Sequence, residues 1–210
     1  APLLASLIPP LGSSWKQLAA EELDHAEIGL KFAPGKATQI DISLFRDKVK
    51  YRYVFGLPPD VPPPPQFINL GSYRMQGADL SLRQDLAQDW TLFAGLTLLT
   101  PSIDNLPYTP KKALSLGLNG QIAGVRLALD AQYQSEVQAL NRARAAGAVN
   151  TERVNGFAVF NARIGYPLKA LGKNGEVFLA VENLFGRDYG YRPGYPMPGR
   201  WGQVGMNFGF

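Results

Sequence analysis

The chain has 210 residues, of which 46% are hydrophobic and 18% charged, and its formal net charge is +4. The basic residues are scattered rather than blocked, so we expect no nucleic-acid partner. No run approaches the roughly 18 consecutive apolar residues of a membrane helix, and the mean hydropathy is -0.10. These values exclude a helical membrane protein. They allow a transmembrane β-barrel, whose strands show lipid an apolar side chain only at every second residue.

Residue types narrow the chemistry further. The 22 glycines and the 3 Trp, 9 Tyr and 11 Phe residues favour many short strands. With no cysteine and a single histidine, His25, we expect no metal site made by this chain alone and no cofactor. Asp24 is adjacent to His25, but neighbours along a strand point to opposite faces, which argues against a catalytic dyad. We therefore expect no catalytic residue and no enzyme, and we interpret His25 as an exposed or lumenal polar residue.

Nine segments of period-two alternation follow one another along the chain. In the fourth, Trp90, Leu92 and Ala94 alternate with Thr91 and Phe93. Each segment is about as long as the roughly 9–11 residues with which a tilted strand crosses a bilayer. The sequence therefore predicts an all-β chain of about nine antiparallel transmembrane strands. The residues that show the alternation in these strands lie at 28–32, 40–44, 79–83, 90–98, 114–119, 125–133, 160–166, 177–181 and 203–210.

The connections between these segments alternate strictly in length. Short ones, at 34–36, 84–89, 119–124 and 167–174, alternate with long ones, at 50–66, 101–111, 138–155 and 186–201. Outer-membrane barrels have short periplasmic turns and long extracellular loops. A soluble β-sandwich also alternates in polarity, but the rhythm of the connections favours the barrel with a periplasmic C-terminus.

Side chains on the polar face support the same interpretation. A dry core would bury isolated charges at several kcal/mol each, whereas a wet or plugged lumen removes that cost. These charges are Asp41, Asp79, Arg83, Arg126, Asp130, Arg163 and Glu182. Trp90, Tyr133, Tyr166 and Trp201 fall where strands should meet lipid headgroups, although each alone could be an ordinary core aromatic.

Several motifs appear in a fixed order near the C-terminus. The segment 181–189 reads VENLFGRDY, and it is followed by Tyr195, by Pro198-Gly199-Arg200 and by a last alternating strand that ends at Phe210. This order resembles the C-terminal signature of TonB-dependent outer-membrane receptors, in which NLF closes the penultimate strand and PGR precedes the last one. Segments 71–80 and 106–110 are similar to the family's RVQGvEl and lPytP passages. Segment 23–30 is similar to its nyEiGlk opening, with His25 where Asn or Ser is common.

The resemblance implies that much of the protein lies outside this chain. Members of that family have 22-stranded barrels, so nine strands form roughly the last two-fifths, and the plug domain and the first strands are missing. We expect residues 1–22 to be an extracellular loop or irregular segment and residues 23–210 to be barrel. A first strand near Ile28 would leave an edge that lipid cannot satisfy. A tenth strand within 1–18 could close a smaller barrel, but Pro9, Pro10 and Gly12 disfavour it.

Candidate ligand-binding residues lie in the outer loops. Tyr51, Arg52 and Tyr53 open the first complete one, ahead of a proline-rich stretch at 58–65 that we interpret as a rigid spacer. In the last loop the arginine forks and phenol rings suit an anionic catechol- or carboxylate-bearing ligand. The residues there are Tyr189, Tyr191, Arg192 and Tyr195.

We interpret the residues of the C-terminal motifs as structural rather than ligand-binding. They are Asn183, Leu184, Phe185, Pro198, Gly199, Arg200 and Phe210. The resemblance also implies that the terminal aromatic strand is an assembly signal, so deletion of Phe210 should reduce the amount of protein in the outer membrane.

Two classes of function remain. The leading hypothesis is energy-coupled uptake of a scarce ligand across the Gram-negative outer membrane, with a ferric siderophore or other metal chelate as ligand. Its partners are outer-membrane lipid and, through the missing plug, the TonB complex. The alternative is a small self-contained outer-membrane barrel that acts as an enzyme, adhesin or structural protein. A soluble lipocalin-like binder ranks third.

Overall fold

The computed structural model describes residues 19–56, 66–69, 71–86, 89–104, 106–140, 151–168 and 175–208. Nine long strands account for most of them: β1 (Glu22–Phe32), β2 (Thr38–Lys50), β5 (Tyr73–Asp85), β6 (Thr91–Pro101), β7 (Lys112–Ile122), β8 (Val125–Gln134), β11 (Phe157–Pro167), β12 (Glu176–Glu182) and β15 (Trp201–Asn207). Six short strands complete the set: β3 (Tyr53–Gly56), β4 (Gln66–Asn69), β9 (Val137–Leu140), β10 (Thr151–Val154), β13 (Gly190–Arg192) and β14 (Tyr195–Pro196).

The nine long strands form one antiparallel sheet in the order β1-β2-β5-β6-β7-β8-β11-β12-β15. Each strand is therefore paired with the long strands before and after it in the chain, as in a barrel wall built from successive hairpins. The edge strands β1 and β15 are not paired with each other, so the described sheet is an open part of a barrel wall. The prediction of nine antiparallel strands is confirmed.

One face of this sheet is apolar. Cross-strand pairs such as Leu30 with Ile42 place aliphatic side chains side by side. The same row continues from Ile42 to Leu80 and from Leu80 to Leu96. We call this surface the aliphatic band. Its large members are exposed in the isolated chain, a state that lipid contact would relieve. They are Ile28, Leu30, Phe32, Ile42, Leu44, Leu80, Leu98, Leu116, Leu129, Phe160, Ile164, Leu179, Val204 and Met206.

Short hairpins occupy three of the four long connections. β3 pairs with β4, β9 with β10 and β13 with β14, each as a separate two-stranded sheet. These six strands were not predicted, because two to four residues are too few to produce a period-two signal. The hairpins extend the wall beyond one end of the strands, which we call the outer end.

The fourth long connection packs against the opposite face of the sheet. Leu106 is buried with Val49 and Tyr73, and Met75 and Ile103 pack against them. Val49 and Tyr73 are cross-strand partners on β2 and β5. This cluster fixes the connection between β6 and β7 to the inner face near the outer end.

Both ends of the chain extend beyond the described residues. Residues 1–18, together with Phe210, lie outside the described residues. β1 begins at Glu22, so the boundary expected after residue 22 stays a prediction. Among the residues that the structure describes, no helix has the length and apolar character to cross a membrane.

Candidate functional site: the inner groove and the outer loops

The inner face, opposite the aliphatic band, borders a groove of about 780 Å³. Glu27, Asp41 and Asp79 line it on β1, β2 and β5, and Phe157 at the start of β11 and Tyr191 in the last outer loop line its other end. Hydroxyl, amide and small side chains fill the wall between them. The groove therefore combines a carboxylate-rich wall with an aromatic end.

Most of the predicted inner-face charges have partners from neighbouring strands. Arg126 Nη1 lies 2.9 Å from Glu176 Oε2, and Arg163 Nη2 lies 2.5 Å from Glu176 Oε1. Glu176 is only 3% exposed. One buried carboxylate on β12 is thus held between guanidinium groups from β8 and β11, and the three residues link three adjacent strands.

Phe178 and Gly165 pack against the cluster formed by Glu176, Arg126 and Arg163. The Arg163 guanidinium lies 4.3 Å from the centre of the Phe178 ring, which adds a cation–π contact. A Cβ atom at Gly165 would overlap with the Glu176 carboxyl group. Glycine at 165 therefore makes the space that the buried carboxylate occupies.

Other inner-face acids are held by neutral partners. Thr97 Oγ1 donates to Asp79 Oδ1 at 2.6 Å, and Asn161 Nδ2 donates to Asp130 Oδ2 at 2.7 Å. Asp41 differs, because its buried Oδ1 has no hydrogen-bond partner in the described part of the chain. Lys31 Nζ lies 3.8 Å from that atom, too far for a hydrogen bond.

His25 lies on the inner face of β1, beyond the aliphatic band, and its register partner on β2 is Asp47. Its Nδ1 is 2.6 Å from Asp47 Oδ1 and its Nε2 is 3.3 Å from Glu27 Oε2. The hydrogen bond with Asp47, followed by that with Glu27, raises the pKa of His25 above its ordinary value. Asp24 was correctly excluded as a partner of His25 on the same face. Asp47 was not predicted as a partner, because only the register between β1 and β2 places it opposite His25.

Asn183, from the predicted structural motif, connects the last outer loop to the wall. It is 2% exposed and its backbone has a positive φ of 50°. Its Nδ2 donates to the carbonyls of Arg187 (2.8 Å) and Pro198 (3.2 Å), and its Oδ1 accepts from the Arg187 amide at 2.8 Å. Its own amide donates to Asn161 Oδ1 at 2.9 Å. A single side chain thus ties both ends of this loop together.

The remaining motif residues surround that connection. The Leu184 amide donates to the Phe160 carbonyl at 2.8 Å. The ring centre of Phe185 lies 5.2 Å from that of Phe160 in an edge-on arrangement. Pro198, Gly199 and Arg200 are exposed in the segment before β15. The motif therefore builds the turn after β12 and the entry to the last strand.

Aromatic rings gather at the outer end of the groove. The Phe157 ring centre is 4.6 Å from Tyr189 and 5.3 Å from Tyr191, and the two tyrosine rings are 6.0 Å apart. Burial, followed by the nearby Tyr191 and Glu182, raises the pKa of Tyr189. The Tyr189 phenol therefore stays a neutral hydroxyl donor near pH 7. We call Phe157, Tyr189 and Tyr191 the aromatic cluster.

The other predicted residues of the last loop lie next to this cluster. Arg192 stacks over the Tyr108 ring at 5.8 Å, which connects the loop to the segment between β6 and β7. Tyr195 is 69% exposed and pairs with Arg192 in the β13–β14 hairpin. The four candidates predicted in the last loop, Tyr189, Tyr191, Arg192 and Tyr195, therefore lie in one loop of the structure.

The first outer loop holds its candidates elsewhere. Arg52 Nη1 donates to the Tyr73 hydroxyl at 2.5 Å, so this guanidinium is engaged within the wall. Tyr51 is exposed at a positive φ of 58°. Tyr53 begins β3, paired with Asn69. These residues follow β2, six strands along the sheet from β12, which carries the last outer loop.

No group of three or more His, Cys, Asp or Glu residues suited to holding a metal ion occurs among the described residues.

Comparisons with known proteins add the following. A family model for the β-barrel of TonB-dependent-receptor-like proteins matches residues 1–184. No curated protein matches the chain. A copper transporter, OprC, superposes with a TM-score of 0.71 at 21% identity, covering 94% of this chain and 32% of that one. The ferric-catecholate import receptor Fiu from E. coli K12, in its closed form, superposes with a TM-score of 0.65 at 23% identity, covering 89% of this chain and 27% of that one. The FrpB iron transporter from Neisseria meningitidis superposes with a TM-score of 0.67 at 18% identity, covering 91% of this chain and 32% of that one.

These likenesses establish the fold. The chain spans about a third of the length of the solved structures it matches, at 32% of the first and 27% of the second.

Proposed function

Because the chain belongs to the TonB-dependent-receptor-like β-barrel family, we propose that it is barrel wall from a receptor that imports a metal chelate across the Gram-negative outer membrane. The preferred cargo class is a ferric siderophore with catechol or carboxylate groups. The structural relatives are transporters and receptors of copper and iron compounds, and the coupled transport itself would require the plug and TonB complex.

The aromatic cluster is the observation that carries this proposal. Rings packed edge-on and tilted against one another at the outer mouth of the groove offer an aromatic surface to aromatic chelating groups. Tyr189 and Tyr191 add hydroxyl donors, and Arg192 adds a fixed positive charge one residue away. This combination suits a ligand that is anionic, partly aromatic and too large for the contacts of a single side chain.

The carboxylate-rich wall supports the second part of the proposal, a plug inside the barrel. Glu27, Asp41 and Asp79 face the same groove, and the buried Asp41 Oδ1 has no hydrogen-bond partner in the described chain. Buried carboxylates are stabilised by hydrogen-bonded cationic partners. A plug surface with arginine or lysine side chains would supply them.

Ligand uptake tests the proposal directly. In the full-length receptor, Tyr189→Ala combined with Tyr191→Ala removes two rings of the cluster while Asn183 still ties the loop. We expect uptake of a radiolabelled ferric catecholate to fall at least about 10-fold, since each stacked ring contributes on the order of 1 kcal/mol and the phenols contribute further hydrogen bonds. Tyr166→Ala, on the aliphatic face, is the matched control and should leave uptake unchanged.

The choice of probes separates the cargo classes. A ferric catecholate, a ferric citrate complex and a copper salt are compared in cells with and without a functional TonB complex. TonB-dependent uptake of either iron chelate that is lost in the tyrosine variant supports the proposal. Uptake confined to the copper salt contradicts the chelate class, and uptake of none of the three in cells that display the receptor contradicts the proposal.

A further inference from the structure

Three basic side chains project from the outer end of β2 and β5 on the face that carries the aliphatic band. Arg46, Lys48 and Arg74 are exposed, whereas Asp47 and Val49 between them are buried. The register pairs Lys48 directly with Arg74 and Arg46 with Gln76. The cations therefore share one face of two adjacent strands, and backbone pairing fixes their spacing.

This arrangement lacks compensation from the protein. Like charges directly opposite each other in a sheet are destabilising. The described part of the chain contains nine ion pairs with a separation of 4.0 Å or less, and none of them includes Arg46, Lys48 or Arg74.

The acids on the neighbouring strand do not change this. Glu22 is held by Lys50 at 2.9 Å. Asp24 is the register partner of Lys48 on β1 but forms no ion pair with it. An external anion would therefore relieve the repulsion between Lys48 and Arg74.

The height of the cluster identifies where that anion comes from. Leu44 is the last aliphatic residue of β2 on this face, and Arg46 and Lys48 follow it two and four residues later. At roughly 3.4 Å per residue and a tilt near 40°, these side chains lie about 5 and 10 Å beyond the hydrocarbon. Lipid headgroup phosphates occupy that level.

The two ends of this face differ in charge. Across the described long strands, every lysine or arginine on the aliphatic face belongs to the outer end, namely Arg46, Lys48, Lys50, Arg74 and Lys112. At the opposite end the same face presents Phe32, Trp90, Ile122, Tyr166 and Met206. The asymmetry matches a membrane whose outer leaflet is the anionic, phosphorylated one.

We propose that Arg46, Lys48 and Arg74 form a binding site for the phosphorylated saccharide headgroup of an outer-leaflet glycolipid. The guanidinium forks and the ammonium group bind the phosphate oxygens. Gln76, Thr100 and Ser102 are exposed beside them and can hydrogen-bond sugar hydroxyls. The acyl chains then lie along the aliphatic band below. This site is independent of the cargo that the receptor imports.

Lipid retention by the full-length receptor tests the site. The receptor is purified in detergent, stripped of lipid and titrated with a diphosphorylated diglucosamine lipid, and bound lipid is counted by native mass spectrometry. We expect R46Q/K48Q/R74Q to weaken binding at least about 10-fold. The control K31Q/K36Q removes two cations from the inner face and the opposite turn and should bind as wild type does.

Two further probes define the ligand. The dephosphorylated form of the same lipid should bind wild type no better than it binds the triple variant. Inorganic pyrophosphate should bind at least 10-fold more weakly than the lipid, because it lacks the acyl chains. Equal binding of pyrophosphate overturns the lipid assignment, and equal binding of the lipid to wild type and triple variant overturns the site.

Assembly is checked by the heat-dependent shift of the folded barrel on unboiled gels. If the triple variant fails that check, R74Q alone is used. Removing one of three cations should weaken lipid binding roughly 3-fold and make the remaining binding less sensitive to salt. An unchanged affinity and salt dependence of R74Q contradict the proposal.

Discussion

The two faces of this sheet carry their charges in opposite ways. On the inner face, Glu176 lies between Arg126 and Arg163, and Asp79 and Asp130 accept hydrogen bonds from Thr97 and Asn161. On the other face, Lys48 and Arg74 oppose each other with no carboxylate within ion-pair distance among the described residues. Both sets are placed by the same strand register.

The difference separates charges that hold the wall together from charges that await a ligand. A compensated cluster stabilises the protein by itself, so removing one member should lower stability. An uncompensated cluster stabilises the protein only when its ligand is bound, so removing one member in the absence of ligand should raise stability slightly. Stability measurements on single variants can therefore distinguish the two.

The largest effect is expected for Glu176→Gln. The amide leaves Arg126 and Arg163 facing each other at a nearly buried position. Losing one member of a buried ion pair costs about 3–5 kcal/mol, and because both arginines are partly exposed we expect about 2–3 kcal/mol. Guanidinium unfolding of the full-length receptor in detergent, followed by tryptophan fluorescence, measures the change.

A double-mutant cycle controls for this prediction. Arg163→Gln combined with Glu176→Gln removes one charge of each sign and should restore part of the lost stability. Purely additive losses would show that the two side chains do not interact and would weaken the contrast between the faces.

Gly165→Ala should have the next largest effect. A methyl group at this position would overlap with the Glu176 carboxyl, so the carboxyl must move away from one of its arginines. We expect a loss of about 1–3 kcal/mol, the usual cost of overpacking. Gly117→Ala is a suitable comparison, since a Cβ atom there meets neighbours only at ordinary contact distances, 3.8 Å and beyond. Equal losses at the two positions would contradict this explanation.

The fold was predictable because its signal is strictly periodic. Nine alternating segments, such as the one from Trp90 to Leu98, each became a strand in the predicted order. The short β9 and β13 strands escaped prediction because their pairing depends on loop packing rather than on a pattern of alternation.

The site was less predictable, since it depends on cross-strand register. Tyr189, Tyr191 and Arg192 were predicted by residue type within one loop. The contribution of Phe157 was missed, because it lies on β11 and reads as an ordinary strand residue. Glu176 was missed for the same reason, although two of its partners, Arg126 and Arg163, had been singled out as isolated charges.

A moderate, pH-dependent effect is expected for Asp47→Asn. The hydrogen bond with Asp47 is the main cause of the raised pKa of His25, so this pKa should fall toward its ordinary value of 6.5. A raised pKa stabilises the folded state below the unfolded value and this contribution disappears as the pH rises through the folded value. The variant should therefore lose most stability, relative to wild type, below pH 6.5, and the difference should disappear as the pH rises through the folded-state pKa of His25.

Histidine NMR provides the direct measurement. The resonances of His25 are assigned by comparison with His25→Gln, and the pKa is followed in wild type and in Asp47→Asn. The pKa should stay somewhat raised in the variant, because Glu27 still contacts Nε2. An identical titration in the two proteins would show that Asp47 does not control His25.

The smallest effect, and the only stabilising one, is expected for Arg74→Glu. A glutamate opposite Lys48 converts a repulsive cross-strand pair into an attractive one. Its neighbour on the other side, Ser102 just after β6, is neutral. In lipid-free detergent at low salt, the variant should gain about 0.2–1 kcal/mol in unfolding free energy. Arg74→Gln should gain less, because it removes the repulsion without adding attraction. Both gains should shrink in about 1 M salt, where the Debye length is near 3 Å.

The sign of this change should reverse when the phosphorylated glycolipid is present. Wild type then gains binding free energy that the glutamate variant lacks, since a third carboxylate beside Asp24 and Glu22 repels the phosphate. A variant that stays more stable than wild type at saturating lipid would mean that the outer cations have no ligand there. In that case the two faces would differ only in how well their charges are compensated, and the distinction between wall-holding and ligand-awaiting charges would be lost.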